Sequence, residues 1–297
     1  MKMLLHFLNP IAWFKALNYA RQSAKFDKST FDLELYLYSK ILSNNMLHYG
    51  YFENSDIAPA TISLKQLEDA QVKYAQNIID EIKDTQHTVL DIGCGMGGLS
   101  SMITDKKIPV ECLTPNKNQV DFIRQSFPNL TCHPCKFEEL KTNQRFGTLI
   151  NSESIQYISL DKAFEQADAL AMPNARWIIV DYFRKNNDGI NKSSHLLADF
   201  LKKIDASNWQ LILQKDITQN VLPTLRFANM YAERFLMPIK HFGYEKLRFK
   251  IPSLYYMTSG VREKIEQKIT KEKASIDPEK FENEKQYLFF VLERKRN

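Results

Sequence analysis

The sequence predicts an α/β fold, a mainly parallel sheet covered by helices on both faces. Three observations predict it. From Thr88 onward, short apolar runs alternate with helical stretches, as strand–helix–strand units require. Four of only nine glycines (Gly93, Gly95, Gly97, Gly98) fall within six residues directly after the first of those runs. That is the composition of a loop shaped for close approach by a ligand. Hydrophobic residues make up 44% of the 297 and charged residues 25%, the balance of a folded chain with an ordinary core.

Taken in order, the elements begin at Asn9-Pro10, an N-cap with proline at the first helical position, opening a helix to about Arg21. A second helical stretch is expected from about Phe31 to Leu47. A third runs from about Ser63 to Ile82, with Leu64, Leu67, Val72, Ile78, Ile79 and Ile82 near helical spacing. Strands are expected at 88–92, 108–114, 130–135, 146–151, 176–182, 209–218 and 287–293. Helices fit between them near 116–126, 160–171 and 190–206. About 65 residues separate the last two strands, too many for an ordinary connection. They carry Phe227, Tyr231 and Phe235 and then a charged helix, and read as a helical cap. The expected organisation is a helical lid over 1–60, a sheet domain over 61–220, a cap insertion over 221–284 and a last strand over 285–297.

Net charge excludes some function classes. Forty Lys and Arg against 35 Asp and Glu leave +5, too mild for a dedicated nucleic-acid binder. Four cysteines in a chain of this length do not make a secreted disulfide scaffold, so a reducing cytoplasm is expected. No apolar run approaches the length of a membrane span, and His6 interrupts the only short one at the N-terminus, which does not read as a signal peptide. Ile11, Trp13, Phe14, Leu17 and Tyr19, with Lys15 and Arg21, suit either packing over the ligand pocket or peripheral membrane contact. Cys132-His133-Pro134-Cys135 has metal-like spacing, but no second Cys/His pair completes a site, and no metal is expected.

The segment 89–100 (VLDIGCGMGGLS) is strand, glycine loop and helix start, where backbone N–H groups attract anionic ligand groups. Gly93-x-Gly95-x-x-Gly98 also satisfies the dinucleotide fingerprint. Asp91 separates the two readings. A dinucleotide-binding strand is normally apolar at that position, whereas a carboxylate suits a ligand with an ammonium group, such as the methionine part of S-adenosylmethionine.

With these residues the sequence resembles the class I S-adenosylmethionine-dependent methyltransferases, whose first motif has the form hh-D-x-G-x-G-x-G. The resemblance implies a Rossmann-like seven-stranded mixed sheet and places Asp91, Gly93, Cys94, Gly95 and Gly97 at the donor. The second strand ends VECLTPNKNQ (110–119), similar to the cyclopropane fatty acid synthase version. It implies that Thr114 and Gln119 hold the ribose. Lys136-Phe137-Glu138-Glu139 resembles the segment over adenine, with Phe137 stacking and Glu138 accepting from the exocyclic amine.

The fourth strand ends Asn151-Ser152-Glu153-Ser154-Ile155-Gln156-Tyr157, which resembles the E-S-x-x-H element of tocopherol and related small-molecule methyltransferases. The resemblance puts Asn151 at the donor and Glu153 and Tyr157 at the acceptor, without the histidine that several relatives carry at 156 or 157. Candidate bases are therefore Glu153, Asp181 and His48. LHYGYF (47–52) resembles the segment that closes over the donor, bringing Tyr49 and Gly50 to it. In cyclopropane synthases a cysteine stands where this chain has Tyr49. The function implied is methyl transfer to an O, N or C atom of a small or lipid-like acceptor, with cyclopropane-type lipid modification as the alternative. A donor-binding module without catalysis is a third reading.

Overall fold

The computed structural model describes residues 9–23, 40–187 and 194–295. Helix α1 (Pro10–Ser23) opens where Asn9 Oδ1 accepts the Ile11 N–H at 2.9 Å, as the Asn-Pro pair predicts. Its Ile11, Trp13, Phe14, Leu17 and Tyr19 are exposed. The helix expected over 31–47 lies mostly outside the described residues. Lys40 and Ile41 are helical, but the chain from Leu42 to Leu47 is not. Side chains of the next helix explain why. Glu68 Oε1 takes both the N–H and the hydroxyl of Ser43 at 2.7 and 2.8 Å, and Asn45 turns to a left-handed φ of 56°. The Ser43 backbone donor, which a helix would have used internally, is spent on its neighbour.

That neighbour, α2 (Leu64–Ile79), starts with a reciprocal cap. Ser63 Oγ accepts from Gln66 N at 3.2 Å, and Gln66 Oε1 accepts from Ser63 N at 2.9 Å. Its buried face, including Tyr74, Ile78 and Ile79, packs on the sheet.

The sheet chain then runs β1 (Val89–Ile92), α3 (Gly98–Asp105), β2 (Val110–Leu113), α4 (Lys117–Ser126), β3 (Thr131–His133), β4 (Phe146–Ser152), α5 (Leu160–Leu170), β5 (Ala171–Arg184), α6 (Leu197–Asp205) and β6 (Trp209–Asp216). After β6 come α7 (Thr218–Tyr231), one π-helical turn (Ala232–Leu236), α8 (Met237–Lys250), α9 (Pro252–Met257), α10 (Ser259–Ser275), α11 (Pro278–Glu284) and β7 (Lys285–Arg294). All seven predicted strands are present, and β5 is the one that extends furthest beyond its predicted start, beginning at Ala171. The seven strands lie in the order β3-β2-β1-β4-β5-β7-β6, with β7 antiparallel to both neighbours. This is the predicted Rossmann-like mixed sheet, with helices inserted before the last strand.

Both faces of the sheet are buried. Along β5, Trp177 and Ile179 join one core with Phe164, Phe200 and Phe290, while Ile178 and Val180 join the other with Tyr74, Leu222 and Tyr287. The strand order reverses between β1 and β4, so their carboxyl ends open a crevice at Gly93 and Glu153.

The inserted helices differ from expectation. Helices α8, α9 and α10 have no buried residue, so they stand off the sheet rather than close over it. The Phe227/Tyr231/Phe235 series accordingly runs from the core outward, with Phe227 buried and the other two exposed, the first pair of rings tilted at 4.9 Å and the second stacked at 4.8 Å. Among the described residues no helix is long and apolar enough to cross a membrane.

Candidate active site

A cavity of ≈ 480 Å³ occupies the crevice between the ends of β1 and β4, within the usual range for a small-molecule site of about 300–1,000 Å³. One wall is the glycine loop. Gly93 has φ 77°, and a Cβ there would lie 2.5 Å from Ser154 Cβ. Gly95 has φ 56° and faces Leu47 of the preceding segment. Backbone is thus left bare on the cavity side, as anion-binding loops need. Asp91 lies beneath it, almost wholly buried, with Ser100 Oγ donating to Oδ2 at 2.6 Å. Burial pushes its carboxyl up to about 6, and the serine only partly offsets this. Thr114 Oγ1 donates to Gln119 Oε1 at 2.6 Å at the end of β2, and Asn116 caps α4 between them. Phe137, in a 3₁₀ turn over 137–139, forms the far end of the wall with Glu138 and Lys136.

The facing wall centres on Glu153. This residue sits in the left-handed region (φ 51°), with its N–H held by Val180 O at 2.9 Å, a strained conformation of the sort kept where surroundings over-determine it. Glu153 Oε1 accepts from Tyr49 N at 2.7 Å and from Tyr287 OH at 2.5 Å. Burial pushes the carboxyl up to about 7 from an ordinary 4.5, opposed by those two hydrogen bonds. Tyr287 OH in turn lies 3.0 Å from Tyr74 OH.

His48 completes this wall. Its ring stacks on Tyr74 at 4.2 Å, and Nδ1 lies 2.8 Å from Tyr49 O. A carbonyl only accepts, so Nδ1 carries the proton and Nε2 presents a lone pair. Burial lowers the imidazole pKa to about 4, so the ring is neutral. Nε2 is buried without a hydrogen-bond partner.

Of the sequence-predicted residues, the cavity brings together His48, Asp91, Gly93, Cys94, Gly95, Thr114, Gln119, Phe137, Glu138, Glu153 and Tyr157. Five others lie off its wall. Gly97 caps α3 behind the loop, and the Gly50 N–H donates to Thr224 Oγ1 at 3.0 Å. Tyr49 acts through its backbone, with its ring 5.7 Å from that of Tyr287. Asn151 is spent internally, accepting from Trp177 Nε1 and donating to Ser154 Oγ, both at 2.8 Å. Asp181 is fully buried and accepts from the Tyr182 and Gln156 N–H groups at 2.8 and 3.3 Å. Burial, and after it the nearby Glu153 charge, raise its carboxyl well above the ordinary value, opposed by backbone N–H groups that hydrogen-bond it.

Sequence reasoning missed Tyr74, Tyr287 and Ser154. The two tyrosines fall inside an expected helix and an expected strand, and nothing local shows that both hydroxyls converge near Glu153. Neither α1 nor the helices between β6 and β7 line the cavity, so packing of α1 over the pocket is not what the fold shows. Cys135 is not part of the sulfur cluster found among the described residues. The Sγ atoms of Cys94, Cys112 and Cys132 lie within 4.8 Å of one another behind the loop, while His133 Nε2 meets Glu111 Oε2 at 2.6 Å.

No family model matches the chain. A sterol 4-C-methyltransferase of Caenorhabditis elegans is 23% identical over 155 residues, 48% of this chain and 45% of that protein, so the likeness spans under half of each. Solved structures match over most of their length. A geranyl diphosphate C-methyltransferase from Streptomyces coelicolor, crystallised with Mg²⁺, geranyl diphosphate and S-adenosyl-L-homocysteine, is 14% identical over 90% of this chain and 94% of its own, with a TM-score of 0.61. A cyclopropane synthase from Mycobacterium tuberculosis is 13% identical, covering 90% and 95%, at 0.64. The cyclase SpnF is 15% identical, covering 88% and 93%, at 0.63. The chain has the fold shared by class I S-adenosylmethionine-dependent methyltransferases. One of the three neighbours is a cyclase, so the reaction has to be argued from the site.

Proposed function

We propose that the protein transfers the methyl group of S-adenosylmethionine to a small or lipid-like acceptor in this cavity. One observation carries the reading. A single cavity joins a donor-type wall (Asp91, Gly93, Gly95, Thr114, Gln119, Phe137) to a wall with a buried carboxylate near neutral pKa and an unpartnered imidazole nitrogen. Asp91 receives the donor's ammonium, the bare loop admits its carboxylate end, Thr114 and Gln119 hold the ribose, and Phe137 and Glu138 take the adenine.

The bound donor supplies an electrophilic sulfonium methyl. The protein then has to align a nucleophile, exclude water and, for a hydroxyl acceptor, take a proton. Glu153 is the base in this reading. Both of its donors reach Oε1, so neither occupies Oε2, and His48 Nε2 and Tyr157 position the acceptor. As the acceptor oxygen bonds to the methyl carbon, the carbon–sulfur bond breaks, S-adenosylhomocysteine leaves, and the hydroxyl proton passes to Glu153.

A second reading rests on the ring of aromatics around that carboxylate. Tyr49 and Tyr74 have their centroids 5.7 and 6.2 Å from Tyr287. Aromatic faces stabilise cations, and the sterol and geranyl diphosphate enzymes are named for methylation at carbon. An alkene acceptor, as in cyclopropane-type lipid modification, would place a cation in the cavity beside Glu153, with this cluster behind the wall and not lining it. Tyr49 in place of cysteine argues against the cyclopropane form.

The reducing cytoplasm is the compartment we assign, in keeping with four free cysteines. The test is turnover of methyl-labelled donor with hydroxyl, carboxyl, amine and alkene lipids, with products weighed by mass spectrometry. Methylated heteroatom products indifferent to bicarbonate are expected. A new cyclopropane ring, or bicarbonate-dependent turnover, would make the alternative the answer.

A further inference from the structure

The helices between β6 and β7 that bury nothing have a distinct composition. Residues 231–275 hold ten Lys and Arg against five Glu and no Asp, a surplus equal to that of the whole chain. The rest of the molecule is balanced. The same stretch exposes Tyr231, Phe235, Leu236, Ile239, Phe242, Phe249, Tyr256, Met257, Val261 and Ile265, a density of exposed large apolar side chains that a soluble surface avoids unless it meets something.

Their placement is ordered. Ile239, Phe242 and Phe249 recur at intervals of three and seven along α8, one side of a helix, with Phe235 a turn earlier. Tyr256, 81% exposed, and Met257 stand where α9 turns the chain back into α10. Cations lie against the rings, with Lys246 Nζ 5.6 Å from the Phe242 centroid and the Arg248 guanidinium 4.8 Å from that of Phe249. The acidic residues point the other way in their use. Glu266 pairs with Lys240 across α8 and α10 at 2.7 Å, Glu233 pairs with Lys273, and Glu245 pairs with Arg248. Two of the five negative charges, Glu266 and Glu233, are used across the hairpin, and Glu245 is paired within α8.

We infer that this α8–α10 hairpin is a docking face for an anionic lipid bilayer. The face offers apolar and aromatic side chains for the acyl boundary and a surplus of cations for the headgroups, the two requirements of a helix that lies on a membrane. A second copy of this chain would bring the same positive surplus against itself. An acidic protein would answer the charge but is a poorer match to ten apolar side chains spread from the end of α7 to α10. The hairpin also has a route to the cavity. It continues α7, and α7 holds the segment before the sheet. Asn220 Nδ2 donates to Phe52 O, Thr224 Oγ1 accepts from Gly50 N and Arg226 donates to Ser55 O, at 2.9, 3.0 and 2.9 Å. A lipid-like acceptor would then be met where it resides. That last consequence rests on the methyl-transfer reading; the docking itself does not.

Co-sedimentation of the full chain with phosphatidylcholine vesicles, with and without phosphatidylserine, tests it. Binding should require phosphatidylserine and fall about tenfold or more in Phe242→Ser/Phe249→Ser/Tyr256→Ser and in Lys246→Glu/Lys250→Glu. Unchanged S-adenosylhomocysteine affinity would show that both variants are folded. Three results would overturn the inference: no vesicle binding, binding that both variants retain, or binding lost only on removal of residues 1–23. Concentration-dependent self-association abolished by the same substitutions, without vesicle binding, would assign the face to a second copy instead. Failure of the wild type to bind the donor counts against the proposed function and not against docking.

Discussion

The two walls of the cavity are built by opposite means. The loop wall is local: Asp91, Gly93 and Gly95 lie within five residues, and their contribution is backbone shape around one buried carboxylate. The Glu153 wall is assembled from four distant places, since Tyr49, Tyr74, Glu153 and Tyr287 share one hydrogen-bonded group. A wall made of shape should fail outright when a side chain intrudes. A wall made of hydrogen bonds to a titrating group should change its pH behaviour and rate while the fold and donor site persist.

The largest effects are expected in the loop wall, Gly93 among them. A valine there would place a Cβ 2.5 Å from Ser154 Cβ in a backbone conformation that side chains avoid, so donor affinity should fall by about 10²-fold or more. Calorimetry would show it, and retained affinity would mean that the loop is not the donor wall. Across the cavity, Glu153→Gln keeps an oxygen for the Tyr49 N–H and the hairpin untouched. Turnover of a hydroxyl acceptor should drop by about 10²-fold with donor affinity nearly intact. Equal losses in both quantities would merge the two walls into one structural unit.

The pH profile sharpens the contrast. The base form of Glu153 exists above its pKa, so turnover should rise through pH about 7 and the rise should vanish in Glu153→Gln. Stability should move the other way. A carboxyl held at about 7 in the fold and 4.5 when ordinary contributes stability below pH 4.5 that is lost as pH rises through 7. The melting temperature of Glu153→Gln relative to wild type should therefore climb across that window. The smallest effect is expected for Tyr287→Phe. It removes one hydrogen bond that lowers the Glu153 pKa, so the midpoint of the rate profile should shift upward, with a loss of a few-fold near neutrality that recovers at higher pH.

The same contrast explains what was legible in the sequence. All seven strands were readable from period and punctuation, and the loop wall from Asp91 and its glycines, because those signals are local. Tyr287 on β7 and Tyr74 on α2 are separated from Glu153 by 134 and 79 positions, and only the sheet order brings them together. Asn151 illustrates the converse case. The resemblance places it at the donor, while its side chain serves the Trp177 indole and Ser154. The insertion before β7 was legible as helical, yet its standing clear of the cavity was not, since an apolar stripe reads alike whether it faces a core or solvent.

The central claim is that Asp91 and the glycine loop hold S-adenosylmethionine. Calorimetry with S-adenosylhomocysteine near pH 6, in buffers of different ionisation enthalpy, tests it most directly. The ligand's ammonium should draw the Asp91 pKa down from about 6, so binding to the wild type near that pH should release a fraction of a proton. Asp91→Ala and Gly95→Val should abolish binding. Tight binding of NADH with no response to S-adenosylhomocysteine would contradict the account.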